Sequence, residues 1–129
     1  MRPPTEKAST PTILADCPAG ASCVSSQARR SAQRVEPLAC GSSCAATLQE
    51  LRRILDSTRG ATIVESTDTY LHAEFRTRVF HFIDDLELLI DADESVIHAR
   101  SASRIGSWDL GVNRRRVERL RRRLARSQP

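Results

Sequence analysis

Two histidines and a row of carboxylates stand at alternate positions in one part of this chain, and that alternation decides which of them can act together. In the run 70–80, Tyr70, His72, Glu74, Arg76 and Arg78 fall on one side of an extended strand. In the runs 82–91 and 95–103, Asp85, Glu87 and Asp91, then His98 and Arg100, do the same, with Arg104 in step beyond. Imidazoles and carboxylates on neighbouring strands suit a metal ion or a general acid–base pair. One expectation is therefore a metal-dependent or acid/base enzyme using His72, Glu74, Asp85 and His98, with Arg76 and Glu87 on the same polar face. The simpler account is a solvated sheet face laced by cross-strand ion pairs worth ~0.2–1 kcal/mol each. On that account, the leading one, no catalytic residue, metal or cofactor is assigned. Register is open, so either Asp84 or Asp85 can face His72.

A second constellation lies where the last of these runs passes into a helix. Arg100, Ser101, Ser103, Arg104, Asn113 and Arg114 offer hydroxyls and guanidiniums near a helix N-terminus, the donor set that captures a phosphate or carboxylate. This is the leading site expectation: an anion-binding surface for an anionic small molecule or a partner protein. The structural alternative pairs Arg104 with Asp109, gives Asn113 a capping role, and lets Asp84 or Asp85 satisfy another arginine.

Further along, Arg114, Arg115, Arg116, Arg119, Arg121, Arg122, Arg123 and Arg126 concentrate positive charge in one segment, opposed by Glu118 alone. The net charge of +4 therefore describes that segment rather than the body. Such a helix attracts nucleic acid or an anionic membrane surface by counterion release. Only 4% of the residues are aromatic, and no helix-turn-helix or zinc-finger signature appears, so a solvated face is the simpler reading. Ser25 and Ser26 have no glycine-elbow context and no histidine near them in sequence, so neither is expected to be a nucleophile. The four cysteines fall into local pairs, Cys17/Cys23 and Cys40/Cys44. Neither pair has zinc spacing, a disulfide within each is sterically allowed, and free thiols are the simpler reading.

These groups need a scaffold. At 129 residues and 40% hydrophobic content the chain fits one domain with one small core. Residues 1–34 lack a sustained period. The prolines at 3, 4, 11 and 18 break any helix there, so 1–16 are expected to be a flexible tail and 17–126 the domain. Residues 20–27 read as a loop and 34–38 as an edge strand, since Pro37 cannot donate to a ladder. Ser42 or Ser43 caps a helix running to about Thr58, with Leu48, Leu51, Ile54 and Leu55 on one face and Gly60 behind it. Residues 62–66 form a short strand, and the three alternating runs follow. Val117, Leu120 and Leu124 make a narrow apolar stripe on the arginine helix. The expected order is β-α-β-β-β-β-α: an α+β domain with one antiparallel sheet of four to five strands, two helices packed on one face, and a loop-rich N-terminal arm. No apolar run approaches the roughly 20 residues that span a bilayer, and the first residues lack a secretory core, so the cytoplasm is the default location.

Several runs carry a resemblance. Cys23-Val24-Ser25-Ser26-Gln27, Tyr70-Leu71-His72-Ala73-Glu74, and Val79-Phe80 with Phe82-Ile83-Asp84-Asp85 are three of them. The longest is Ile97-His98-Ala99-Arg100-Ser101-Ala102-Ser103-Arg104 with Asp109-Leu110-Gly111-Val112-Asn113-Arg114-Arg115-Arg116-Val117-Glu118. Over roughly residues 17–124 the chain resembles the bacterial and plant-plastid family catalogued as domain of unknown function 1499. It departs from that pattern at Ser107-Trp108, where the family tends to show Tyr-Ser, and at the Cys40/Cys44 pair. The resemblance implies a shared fold and shared polar positions, and no reaction.

Overall fold

The structure, a computed structural model, describes residues 13–77, 82–105 and 111–127. Its elements are β1 (Cys23–Ser25), β2 (Leu38–Ala39), α1 (Cys44–Asp56), β3 (Ala61–Ser66), β4 (Tyr70–Arg76), β5 (Ile83–Asp91), β6 (Val96–Ser103) and α2 (Val112–Ser127). They build one antiparallel sheet in the order β1-β6-β5-β4-β3, with β2 also pairing with β6. The α+β class and the single sheet are as expected. The sheet has six strands rather than four or five. The added one is β1, read as loop because three residues are too few to show a period. It exists because Val24 lies opposite Ser101 on β6, a pairing across most of the chain. The expected edge strand at 34–38 is reduced to β2, so Pro37 lies just outside the ladder.

Helix α1 starts where the sequence places it. Ser43 is the N-cap, and its Oγ accepts the Ala46 N–H at 3.1 Å. Leu48, Leu51, Ile54 and Leu55 are buried from α1, and Val117, Leu120 and Leu124 from α2. These stripes pack on Leu71, Ala73, Leu86, Leu88, Ile97 and Ala99 of the sheet, forming the core. Each fully buried Leu or Ile contributes ~1.5–3 kcal/mol by leaving water. Asn113, expected as a cap, is instead the second residue of α2, and the chain turns into the helix at Gly111, whose φ of +82° a side chain would strain. Val79, Phe80 and the stretch 106–110, with the expected Arg104–Asp109 pair, lie outside the described residues.

Both cysteine pairs are disulfide-bonded, Cys17–Cys23 and Cys40–Cys44, which corrects the free-thiol reading. The first bond ties the N-terminal arm to β1. The arm then places Leu14, within the segment expected to be tail, against Tyr70 and Leu89 on the sheet face away from the helices.

Candidate functional site

The register places Glu74 opposite Asp85 and His72 opposite Glu87, so the polar side chains of β4, β5 and β6 share the outer face. Three linked sets occupy it. In the first, His72 Nε2 lies 2.7 Å from Asp85 Oδ1, so Asp85 and not Asp84 meets the histidine. Arg104 grips the same carboxylate with two donors, at 2.7 and 2.9 Å, and reaches Glu74 at 2.7 Å. The Arg104 bonds, helped by His72, hold the Asp85 carboxyl below its ordinary 3.8 against the opposing effect of burial. Arg76 ends this row, exposed.

In the second set, Glu87 accepts from Tyr70 Oη at 2.5 Å and from Arg100 Nη1 at 3.5 Å, while Arg100 Nη2 donates to the Asp16 carbonyl at 3.3 Å. Burial first, then the Glu87 bond, push the Tyr70 phenol above its ordinary value of 10.0.

The third set was not legible in the sequence. Ser26, just past β1, lies 2.9 Å from His98 Nδ1, and His98 Nε2 lies 3.2 Å from Asp91 Oδ2. The Ala99 N–H donates to Ser26 Oγ at 2.9 Å, and the Ser26 N–H donates to the Ala99 carbonyl at 2.9 Å, so the serine is pinned to β6. Beside His98 opens a cleft of about 350 Å³ lined by Gln27, Thr69, Leu89, Ile90, Asp91, Ala92, Asp93 and His98. His98 was singled out as part of the polar face. Ser26 was set aside for want of a nearby histidine, and the sheet supplies one from 72 residues away.

The expected anion-binding set is divided by the sheet. Arg100 and Arg104 point to the outer face, whereas Ser101 and Asn113 are fully buried on the helix side. There Ser101 Oγ donates to Asn113 Oδ1 at 2.7 Å, and Asn113 Nδ2 reaches Ser103 Oγ at 3.0 Å and the Ser22 carbonyl at 3.3 Å. Arg116, which sequence reasoning left in the general charge run, organises this side. It bonds Asn113 Oδ1 at 2.8 Å and Ser101 Oγ at 3.1 Å, pairs with buried Asp84 at 2.8 Å, and stacks 4.5 Å over Phe75. Arg114 holds the carbonyls of Arg34 and Ala32, and Arg121 those of Pro37 and Glu36. Arg123 holds the hydroxyls of Thr58 and Ser57 just past α1. Much of the arginine run is thus a set of clamps, and Arg115, Arg119, Arg122 and Arg126 are its exposed members.

Among the described residues no group of three or more His, Cys, Asp or Glu side chains is placed to hold a metal ion, and no helix is long and apolar enough to cross a membrane.

Fold and outer face together define a small α+β domain whose antiparallel sheet is backed by two helices and faces outward with ordered polar side chains. The chain belongs to the family described as Protein of unknown function (DUF1499), whose model matches residues 13–124. No curated protein and no solved structure matches it.

Proposed function

We propose that this domain is a binding module whose ligand enters the cleft beside His98. The observation that supports this most strongly is the character of the lining. Gln27 Nε2, Thr69 Oγ1 and the Asp93 carboxylate have no hydrogen-bond partner among the described residues, and these residues line the cleft together with buried Leu89. Gln27 is already oriented, because its Oε1 accepts the Leu14 N–H at 3.0 Å. Free donors and acceptors beside an apolar wall are the ordinary make-up of a small-molecule site. With Asp91 and Asp93 in the wall, the cleft favours a neutral or cationic molecule bearing hydroxyl or amino groups.

This reading keeps a binding module and moves its site away from the strand–helix junction, where Arg100, Arg104 and Arg114 already have carboxylate or carbonyl partners. The alternative of a metal-dependent enzyme finds no ligand cluster among the described residues to support it. The two disulfides weigh toward an oxidising compartment and against the cytoplasmic default.

Titration followed by amide NMR tests the reading, with ethanolamine, glycerol and inorganic phosphate as probes. Shifts confined to Gln27, Thr69, Asp93 and His98 on adding ethanolamine or glycerol are expected. Shifts at Arg100, Arg104 and Arg114 with phosphate alone would restore the anion-binding surface in its place.

A further inference from the structure

We infer that the gap between α1 and α2 is a further binding site, one that takes a small carboxylate with a compact aromatic or branched apolar body. It lies on the helix side of the sheet, whereas His98 belongs to the outer face, so it does not depend on the cleft beside His98 having a ligand.

The walls are apolar. Leu55 comes from the last turn of α1, Leu86 from β5, Leu120 from α2 and Phe75 from the end of β4. The open space is about 40 Å³. At ~10–15 Å³ for each water-sized sphere, it admits a group the size of one ring or a branched alkyl end. Arg116 lies 4.5 Å over the Phe75 ring and is neutralised by Asp84, so it adds a flat wall rather than a free charge. The other two cations differ from it. Arg123 donates to Thr58 Oγ1 at 2.6 Å and to Ser57 Oγ at 3.3 Å, hydroxyls that orient the guanidinium without cancelling its charge. Arg119, four residues before it on the same side of α2, is exposed and has no hydrogen-bond or ion-pair partner among the described residues. No Asp or Glu lines the gap among the described residues.

Two uncompensated guanidiniums beside an apolar gap set the ligand class. An apolar body leaves water against the leucines and Phe75, and a carboxylate at its end meets planar donors from Arg119 and Arg123. A neutral molecule of the same shape forfeits the second contribution, and a bare anion forfeits the first. A polyanion such as nucleic acid would use the exposed arginines outside the gap as well, namely Arg115, Arg122 and Arg126. The small carboxylate needs none of them.

The test titrates the full chain with benzoate, benzyl alcohol and inorganic phosphate, followed by amide NMR and intermolecular NOEs. Benzoate is expected to shift Thr58, Phe75, Arg119 and Arg123, with NOEs from its ring protons to the methyls of Leu55, Leu86 and Leu120. Benzyl alcohol and phosphate should each bind there about tenfold or more weakly, and so should benzoate to Arg119→Met, the scale of one lost charge-assisted hydrogen bond. Arg119 is exposed and holds no other group, so that variant reads binding rather than folding, and its amide spectrum checks this. Benzyl alcohol binding as tightly as benzoate, or benzoate affinity unchanged in Arg119→Met, overturns the carboxylate. Absence of NOEs to the leucines overturns the gap as the site, and shifts at Arg115, Arg122 and Arg126 with a DNA duplex or phosphatidylglycerol vesicles would then put a general cationic face in its place. Shifts at Gln27, Thr69, Asp93 and His98 with ethanolamine read the other cleft, so either site can fail while the other stands.

Discussion

Replacing Arg116 by methionine removes one half of a buried ion pair and leaves the other half in place. Asp84 is 3% exposed, and its carboxylate meets Arg116 at 2.8 Å. Methionine keeps most of the volume beside Phe75 but supplies no donor to Asp84, Ser101 or Asn113. An uncompensated buried charge of this kind costs ~3–5 kcal/mol. Against a total stability of ~5–15 kcal/mol for an ordinary domain, that is a large fraction. Urea unfolding followed by far-UV circular dichroism at neutral pH measures it, and the thermal midpoint should fall by ~10 °C or more. Asp84→Asn combined with Arg116→Met should recover much of the loss, since the stranded charge is then gone, while Arg119→Met on the exposed side of α2 should stay within ~0.5 kcal/mol of the parent. A loss below ~1 kcal/mol for Arg116→Met, or a double variant no better than the single, would refute the placement of Asp84 on the helix side.

The single tyrosine gives a titration with a clear sign. Tyr70 is raised above its ordinary 10.0 by burial and by Glu87, so its stabilising contribution is present below pH 10 and is lost as pH climbs toward the folded-state value. Phenolate absorbance should show no step near pH 10 until the protein unfolds, and a step there in folded protein would count against the Leu14–Tyr70–Leu89 cover. Reducing the disulfides opens rings with sequence separations of 6 and 4, and each should cost about 2 kcal/mol by loop entropy. Chemical denaturation with and without dithiothreitol checks this, and a combined loss below ~1 kcal/mol would contradict it.

What could be read in advance follows from the range of each interaction. The alternation in 70–76, 83–91 and 96–103 sorted Leu71, Leu86, Leu88 and Ile97 from His72, Asp85, Glu87 and His98, because strand side chains repeat every two residues whatever the partner. Ser43 and the leucines of α1 were legible for the same local reason. Register was not, since two adjacent acids, Asp84 and Asp85, satisfy the pattern equally. The structure gives one to Arg116 and the other to Arg104 and His72. The set Arg100, Ser101, Ser103, Arg104 was compact in sequence yet is divided by the sheet, as adjacent residues on a strand must be. Ser26 and His98 were the reverse case: distant in sequence and joined only once β1 is paired with β6.

The central claim is that strand pairing joins Ser26, His98 and Asp91 in one hydrogen-bond line, of which His98 and Asp91 line the cleft. Long-range proton–nitrogen correlation of the His98 ring near neutral pH tests it most directly. The account predicts a single tautomer, with Nε2 protonated and Nδ1 accepting from Ser26, that Ser26→Ala disturbs. A ring protonated on Nδ1, or one averaging between tautomers as in free solution and indifferent to Ser26, would contradict it.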